Sequence, residues 1–118
     1  MIYPLIPVRL HGWLDDAVAL AYLLGAWLLS LHGTALIIAL GGAAVHFTLT
    51  RLTNYPQGTF KLIPFRTHAF VELSEGIAVI AATWLLAGGA GPGARTFLTL
   101  MGASQFVAFG FSDYGPSR

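Results

Sequence analysis

Residues 9–15, RLHGWLD, return at 66–72 as RTHAFVE, and this duplication constrains the chain more than any other feature. Arg9 aligns with Arg66, His11 with His68, Asp15 with Glu72 and Trp27 with Trp84, all 57 residues apart. A second echo closes each copy, LTNYPQG at 52–58 and FSDYGPS at 111–117, at an offset of 59. A fixed internal period signals one structural unit used twice. The chain therefore reads as a single domain over 1–118, with repeat 1 at about 9–55 and repeat 2 at about 66–114.

What kind of unit it is follows from charge. Only 9% of the residues are charged and 56% are hydrophobic, with a mean hydropathy of +0.72. Soluble domains carry roughly 25% charged residues, so the polar coat for a water-facing sphere is missing. No Asp, Glu, Lys or Arg occurs in 17–50, 76–94 or 96–112. Apolar runs beyond roughly 18 residues mark membrane spans. The expected fold class is all-α, a polytopic membrane four-helix bundle built from two parallel-oriented helical hairpins. Without Cys there are no disulfides, zinc–thiolate sites or thiol nucleophiles. A net charge of +1 with no basic cluster gives nucleic acid no footprint. MIYPLIPVRL lacks a basic start and a small-residue cleavage site, so the first span is expected to act as its own insertion signal.

In chain order, Pro4 and Pro7 disfavour helix and Tyr3 suits the headgroup level, giving a short interfacial arm. Helices are expected at about 9–31, ended by Gly33, then 34–53, 66–87, ended by the 88–93 Gly/Pro run, and 94–112. The 54–65 connection, NYPQGTFKLIPF, is expected to lie in the interface with Lys61 snorkelling. Four spans put both termini and this loop on one side, with Arg9, Arg51, Lys61, Arg66 and Arg118 there against Arg95 alone on the other. That asymmetry places both termini in the cytoplasm. Since each repeat holds two spans, the copies share one orientation, related by a pseudo-twofold along the membrane normal.

A basic residue, one residue, His and an acid open helix 1, an Asn-Tyr or Asp-Tyr pair closes each repeat, and Ile63-Pro64-Phe65 precedes the second His-bearing helix. This pattern resembles small bacterial four-helix membrane proteins of the SPW-repeat type over nearly the whole chain. Those proteins carry Ser-Pro-Trp late in each odd helix; here Trp27 follows Gly25-Ala26 and Trp84 follows Ala82-Thr83. The resemblance implies the four-helix fold and a bacterial inner-membrane location.

The ionisable residues gather at one depth. His11 and Asp15 are one turn apart on one helix face, and His68, Glu72 and Glu75 share a face of helix 3 in the same way. His46 lies at the depth of Asp15 on helix 2, and the offset of 59 makes Gln105 its counterpart on helix 4. Such groups avoid lipid and turn toward one another. Gly41 and Gly42 before His46, and Gly102 and Ala103 before Gln105, would let the helices close in.

Three readings fit this cluster. One is a structural network in which His–carboxylate pairs fix helix register, with Arg9 and Arg66 neutralising the acids. Another is a metal or cofactor site with His11, His46 and His68 as ligands and Asp15 and Glu72 as ligands or orienters; the set suits zinc, iron or manganese. The H-x3-D and H-x3-E spacings differ from the E-x-x-H of bundle di-iron sites, and a haem would take two imidazoles as axial ligands. The remaining reading is a proton- or ion-coupled transporter with Asp15 and Glu72, assisted by Gln105, as the relay, although the outer half offers few polar groups: Ser30, His32, Thr34, Thr83, Thr96 and Thr99. Asp16 and Glu75 are expected at the headgroups or on a partner, His32 in solvent, and Trp27 and Trp84 in an outer aromatic belt. No Ser, Cys or Lys nucleophile stands beside a base, which argues against covalent catalysis. The expected partners are the lipid bilayer and a second copy or a larger membrane complex, where an accessory structural role is a further reading.

Overall fold

The computed structural model describes residues 4–115, so the expectations for Tyr3 and Arg118 lie outside the described residues. Four α-helices run in order: α1 (Val8–Leu28), α2 (Gly33–Leu52), α3 (Phe65–Leu86) and α4 (Pro92–Phe111). α1 packs chiefly on α2 and α3 on α4, giving two antiparallel hairpins that meet along α2, α3 and α4. By length and composition, α2 and α3 are apolar enough to cross a membrane.

Both odd helices begin the same way. Proline fixes φ, lacks an N–H and pushes the residue before it into extended backbone. Pro7 and Pro64 accordingly stand just outside α1 and α3, and the preceding Ile6 and Ile63 each make an isolated bridge, to Ser112 and Thr53. Ile6 N donates to Phe111 O at 2.9 Å and Asp113 N to Ile6 O at 2.8 Å. Shifted by the repeat offsets, Ile63 N donates to Leu52 O at 2.9 Å and Asn54 N to Ile63 O at 2.7 Å. The end of each hairpin is thus tied to the start of the other.

α1 stops three residues short of its expected end at 31. Ser30, with φ 51, takes the left-handed position that a glycine usually fills, and Leu31 N reaches back to Ala26 O at 2.9 Å, the closing bond of a Schellman motif. The stop signal was a serine, so sequence reasoning passed to the next glycine; Gly33 instead opens α2. The 54–65 connection also departs from a flat interfacial loop. Its Tyr55 turns inward and is 3% exposed, while Lys61 Nζ donates to Tyr55 O at 2.8 Å.

Small residues set how closely the helices approach. A Cβ at Gly76 would lie 2.8 Å from Gly102 O, and one at Gly102 would lie 2.9 Å from Gly76 O, so α3 and α4 touch backbone to backbone there. Of the pair expected in α2, Gly42 faces the Tyr22 ring, whereas Gly41 is exposed with nothing within 4 Å of its Cβ position. Away from the polar cluster, Tyr22, Ala26, Leu31, Ala35, Ala39, Val79, Leu98 and Met101 form the apolar core.

Candidate metal centre

His11 and Asp15 project from the first turns of α1, and His68 and Glu72 from those of α3, so the head-to-tail tie between hairpins brings four side chains to one point. All four are buried, at 0%, 2%, 0% and 1% exposure. The two Nε2 atoms are 3.3 Å apart, and each lies 2.9 Å from Glu72 Oε2. Asp15 completes the set, with Oδ1 3.3 Å from His11 Nε2 and Oδ2 3.0 Å from His68 Nε2. One ligand atom from each residue fits within a cluster no wider than 4.8 Å.

Two hydroxyls decide which way the imidazoles are protonated. Thr53 Oγ1 donates its only hydrogen to Leu49 O at 2.6 Å, so toward His68 Nδ1, 2.7 Å away, it can only accept. Ser112 Oγ likewise donates to Ala108 O at 2.6 Å and accepts from His11 Nδ1. Both rings therefore carry hydrogen on Nδ1 and turn Nε2 into the cluster. A bare Nε2 lone pair against a carboxylate oxygen at 2.9 Å repels it. The arrangement needs a metal ion, or protons shared between these nitrogens and carboxylates, in the middle. Metal-ligating histidines characteristically have their other nitrogen held in this way.

His46 stands just behind the four. Its Nε2 is 3.3 Å from Asp15 Oδ1, and its Nδ1 is 2.8 Å from Glu75 Oε2 and 3.2 Å from Gln105 Nε2. Gln105 Nε2 also donates to Glu75 Oε2 at 2.7 Å. His46 thus connects the quartet, through Asp15, to a second acid on α3. Glu75, expected at the headgroups or a partner, is buried here instead, because it faces His46 across the α2–α3 contact.

Arg9 and Arg66 are exposed, and among the described residues neither is within 4 Å of a carboxylate. The acids are met by imidazoles and by Tyr55, whose OH donates to Asp15 Oδ2 at 2.8 Å. Burial, reinforced by the Asp15 charge, pushes the Tyr55 phenol above its usual range, so it stays protonated and remains a donor. Among the described residues, the arginine in an ion pair is Arg51, whose Nη2 donates to Asp16 Oδ1 at 2.9 Å. His32 is exposed, as expected, and Trp84 Nε1 donates to Thr99 Oγ1 at 3.0 Å.

Sequence reasoning did not single out Thr53, Ser112, Tyr55 or Tyr22. The first three lie in the second echo, LTNY and FSDY, which aligns Thr53 with Ser112. Tyr22 gave no signal, since its counterpart at the offset of 57 is Val79. Its OH is buried with no hydrogen-bond partner among the described residues, as are Glu75 Oε1 and Gln105 Oε1. An unsatisfied buried hydroxyl is a net cost of about 1–3 kcal/mol. Tyr22→Phe is therefore expected to leave unfolding free energy in detergent unchanged or raise it by about 1 kcal/mol; a loss of that size would mean that the hydroxyl is bonded.

Comparison with protein-family models, with curated proteins and with solved structures returned no match.

Proposed function

We propose that this protein is a small integral membrane protein that binds one divalent transition-metal ion between His11, Asp15, His68 and Glu72. The observation that carries the reading is the pair of Nε2 atoms, each turned inward by a hydroxyl on Nδ1 and each facing a carboxylate. An ion with metal–nitrogen bonds of about 2.0–2.1 Å needs ligand atoms about 3.3 Å apart in a tetrahedron, and about 3.0 Å apart at adjacent corners of an octahedron with similar bonds. The close separations here run from 2.9 to 3.3 Å. Two imidazoles and two carboxylates suit zinc, iron(II) or manganese. A dipositive ion would leave the buried quartet with no net charge, which a low-dielectric interior favours.

A haem suits the geometry less well. Axial histidines must stand on opposite faces of a broad ring, whereas His11 and His68 meet side by side at 3.3 Å with Asp15 and Glu72 against them. Ion passage across the bundle is disfavoured by the apolar plug of Tyr22, Ala39, Val79, Leu98 and Met101.

The membrane reading is supported by α2 and α3 and by the large side chains turned outward, among them Leu28 at 70% exposure, Ile37 at 70% and Leu85 at 81%. Apolar surface of this extent marks contact with lipid or protein. The excess of Arg and Lys near both termini and the 54–65 loop orients these segments to the cytoplasm, and the SPW-repeat resemblance suggests a bacterial inner membrane.

Equilibrium dialysis of the purified protein against zinc, iron(II) or manganese, followed by elemental analysis, tests this reading. One tightly held equivalent is expected. Retention no better than that of a detergent blank would leave the quartet as a proton-compensated structural network. The hydroxyls give a sharper check: Thr53→Val with Ser112→Ala is expected to weaken binding roughly 10–100-fold. Thr53→Ser alone should bind as the parent does.

A further inference from the structure

The repeat symmetry fails at the foot of α1 and α2, and a pocket lies where it fails. A cavity of about 510 Å³ is lined by Arg9, Trp13, Asp16, Arg51, Pro56 and Gln57. At the repeat offsets, Asp16 becomes Leu73 and Arg51 becomes Gly110, so of these three charged positions the second repeat keeps one, Arg66. Arg66 lines a smaller cavity, of about 290 Å³, with Pro4, Ser112, Tyr114 and Gly115.

The first cavity holds two guanidinium groups and one carboxylate. Asp16 is bound through both oxygens to Arg51 Nη2, at 2.9 and 3.1 Å, which leaves the pocket one positive charge in excess. Arg51 lies over the Phe47 ring, 5.4 Å from its centroid, and its Nε is enclosed without an acceptor among the described residues. Arg9 is fixed at its backbone, since Gln57 Nε2 donates to Arg9 O at 2.9 Å, while its guanidinium has no carboxylate within 4 Å among the described residues. The unpaired fork of Arg9, with the Nη1 edge that Arg51 keeps beside its bond to Asp16, matches the oxygens of a phosphate group. The flanking side chains are apolar and exposed, Trp13 at 62% and Leu10 at 47%, as beside an acyl chain.

The geometry points to a phosphate-binding site between Arg9 and Arg51, its ligand a phosphate mono- or diester such as the headgroup of an anionic lipid. The lipid source rests on the membrane reading; the arginine chemistry does not, and neither requires the metal.

Arg66 supplies an internal control. The full-length protein in mixed micelles is examined by native mass spectrometry with phosphatidylglycerol, with phosphatidylcholine, and separately with inorganic phosphate. Arg9→Gln is expected to lower retention of phosphatidylglycerol at least fivefold, and Arg66→Gln to leave it within twofold of the parent. If inorganic phosphate binds with the same dependence on Arg9 and neither lipid does, the site holds but takes a free phosphate. Equal losses in the two variants, or retention indifferent to headgroup and to phosphate, would overturn the assignment. Metal content measured on the same samples keeps failure of the metal reading distinct, and failure to reconstitute into bilayers reports on the membrane reading alone.

Discussion

Replacing His11 and His68 together with alanine is expected to reduce bound divalent metal from about one equivalent to the blank level. The two rings supply both nitrogen ligands, and no other imidazole has a ligand atom in the set of four. The substitution also leaves the Asp15 and Glu72 carboxylates buried without the partners that lie 2.9–3.3 Å away in the parent. Removing one partner of a buried pair typically costs about 3–5 kcal/mol, so the variant should melt well below the parent. Loss of metal by itself would then be ambiguous. His11→Asn with His68→Asn separates the two effects, because each shorter amide still offers hydrogen bonds but no imidazole nitrogen. Helix content by circular dichroism, measured beside elemental analysis, should show that pair folded and without metal. A folded double variant that keeps one equivalent would place the metal elsewhere.

Gly76→Val is expected to destabilise the protein by at least the roughly 1–3 kcal/mol typical of overpacking. Overpacked cores usually relax by turning a side chain, and here the obstacle is backbone: the new Cβ would sit 2.8 Å from Gly102 O, with Gln105 Cβ at 3.1 Å. α3 and α4 have to separate, and Gln105, which donates to Glu75 Oε2 at 2.7 Å, moves with α4. Gly41→Ala is the matched control. That position is exposed in mid-helix with nothing near its Cβ site, so relief of glycine's chain entropy should make it neutral or stabilising by about 0.5–1 kcal/mol. Thermal melts of both variants check this, and similar behaviour at the two positions would mean that the α3–α4 crossing is looser than described.

Helix number and order, and the grouping of His11, Asp15, His46, His68, Glu72 and Gln105 at one level, were legible because they rest on repetition and helical spacing, which are properties of a linear string. The hydroxyls of Thr53 and Ser112 were half legible. The echo paired them, but a Thr or Ser at a helix end is common, and its use depends on which ring the other hairpin brings beside it. Glu75 was half legible: helical spacing puts it on the face of His68 and Glu72, but its counterpart in repeat 1 is Val18, so the duplication gave no reason to turn it inward rather than toward the headgroups or a partner. Arg9 and Arg66 were expected to balance the acids since charge proximity along the chain suggested it. In three dimensions the imidazoles already occupy the space around those carboxylates, and the arginines are exposed, with no carboxylate within 4 Å among the described residues. The Ser30 stop was invisible for a local reason: a non-glycine residue takes left-handed backbone rarely, and only the surrounding turn shows that it has done so.

X-ray absorption at the metal edge, on the wild-type chain loaded with one equivalent of zinc, addresses the quartet most directly. The expected spectrum has a first shell of nitrogen and oxygen only, at about 2.0–2.1 Å, with the outer-shell scattering of two imidazole rings, both lost in His11→Asn with His68→Asn. A hydrated ion with no imidazole scattering, or a spectrum indifferent to those two substitutions, would contradict a metal held between the hairpins.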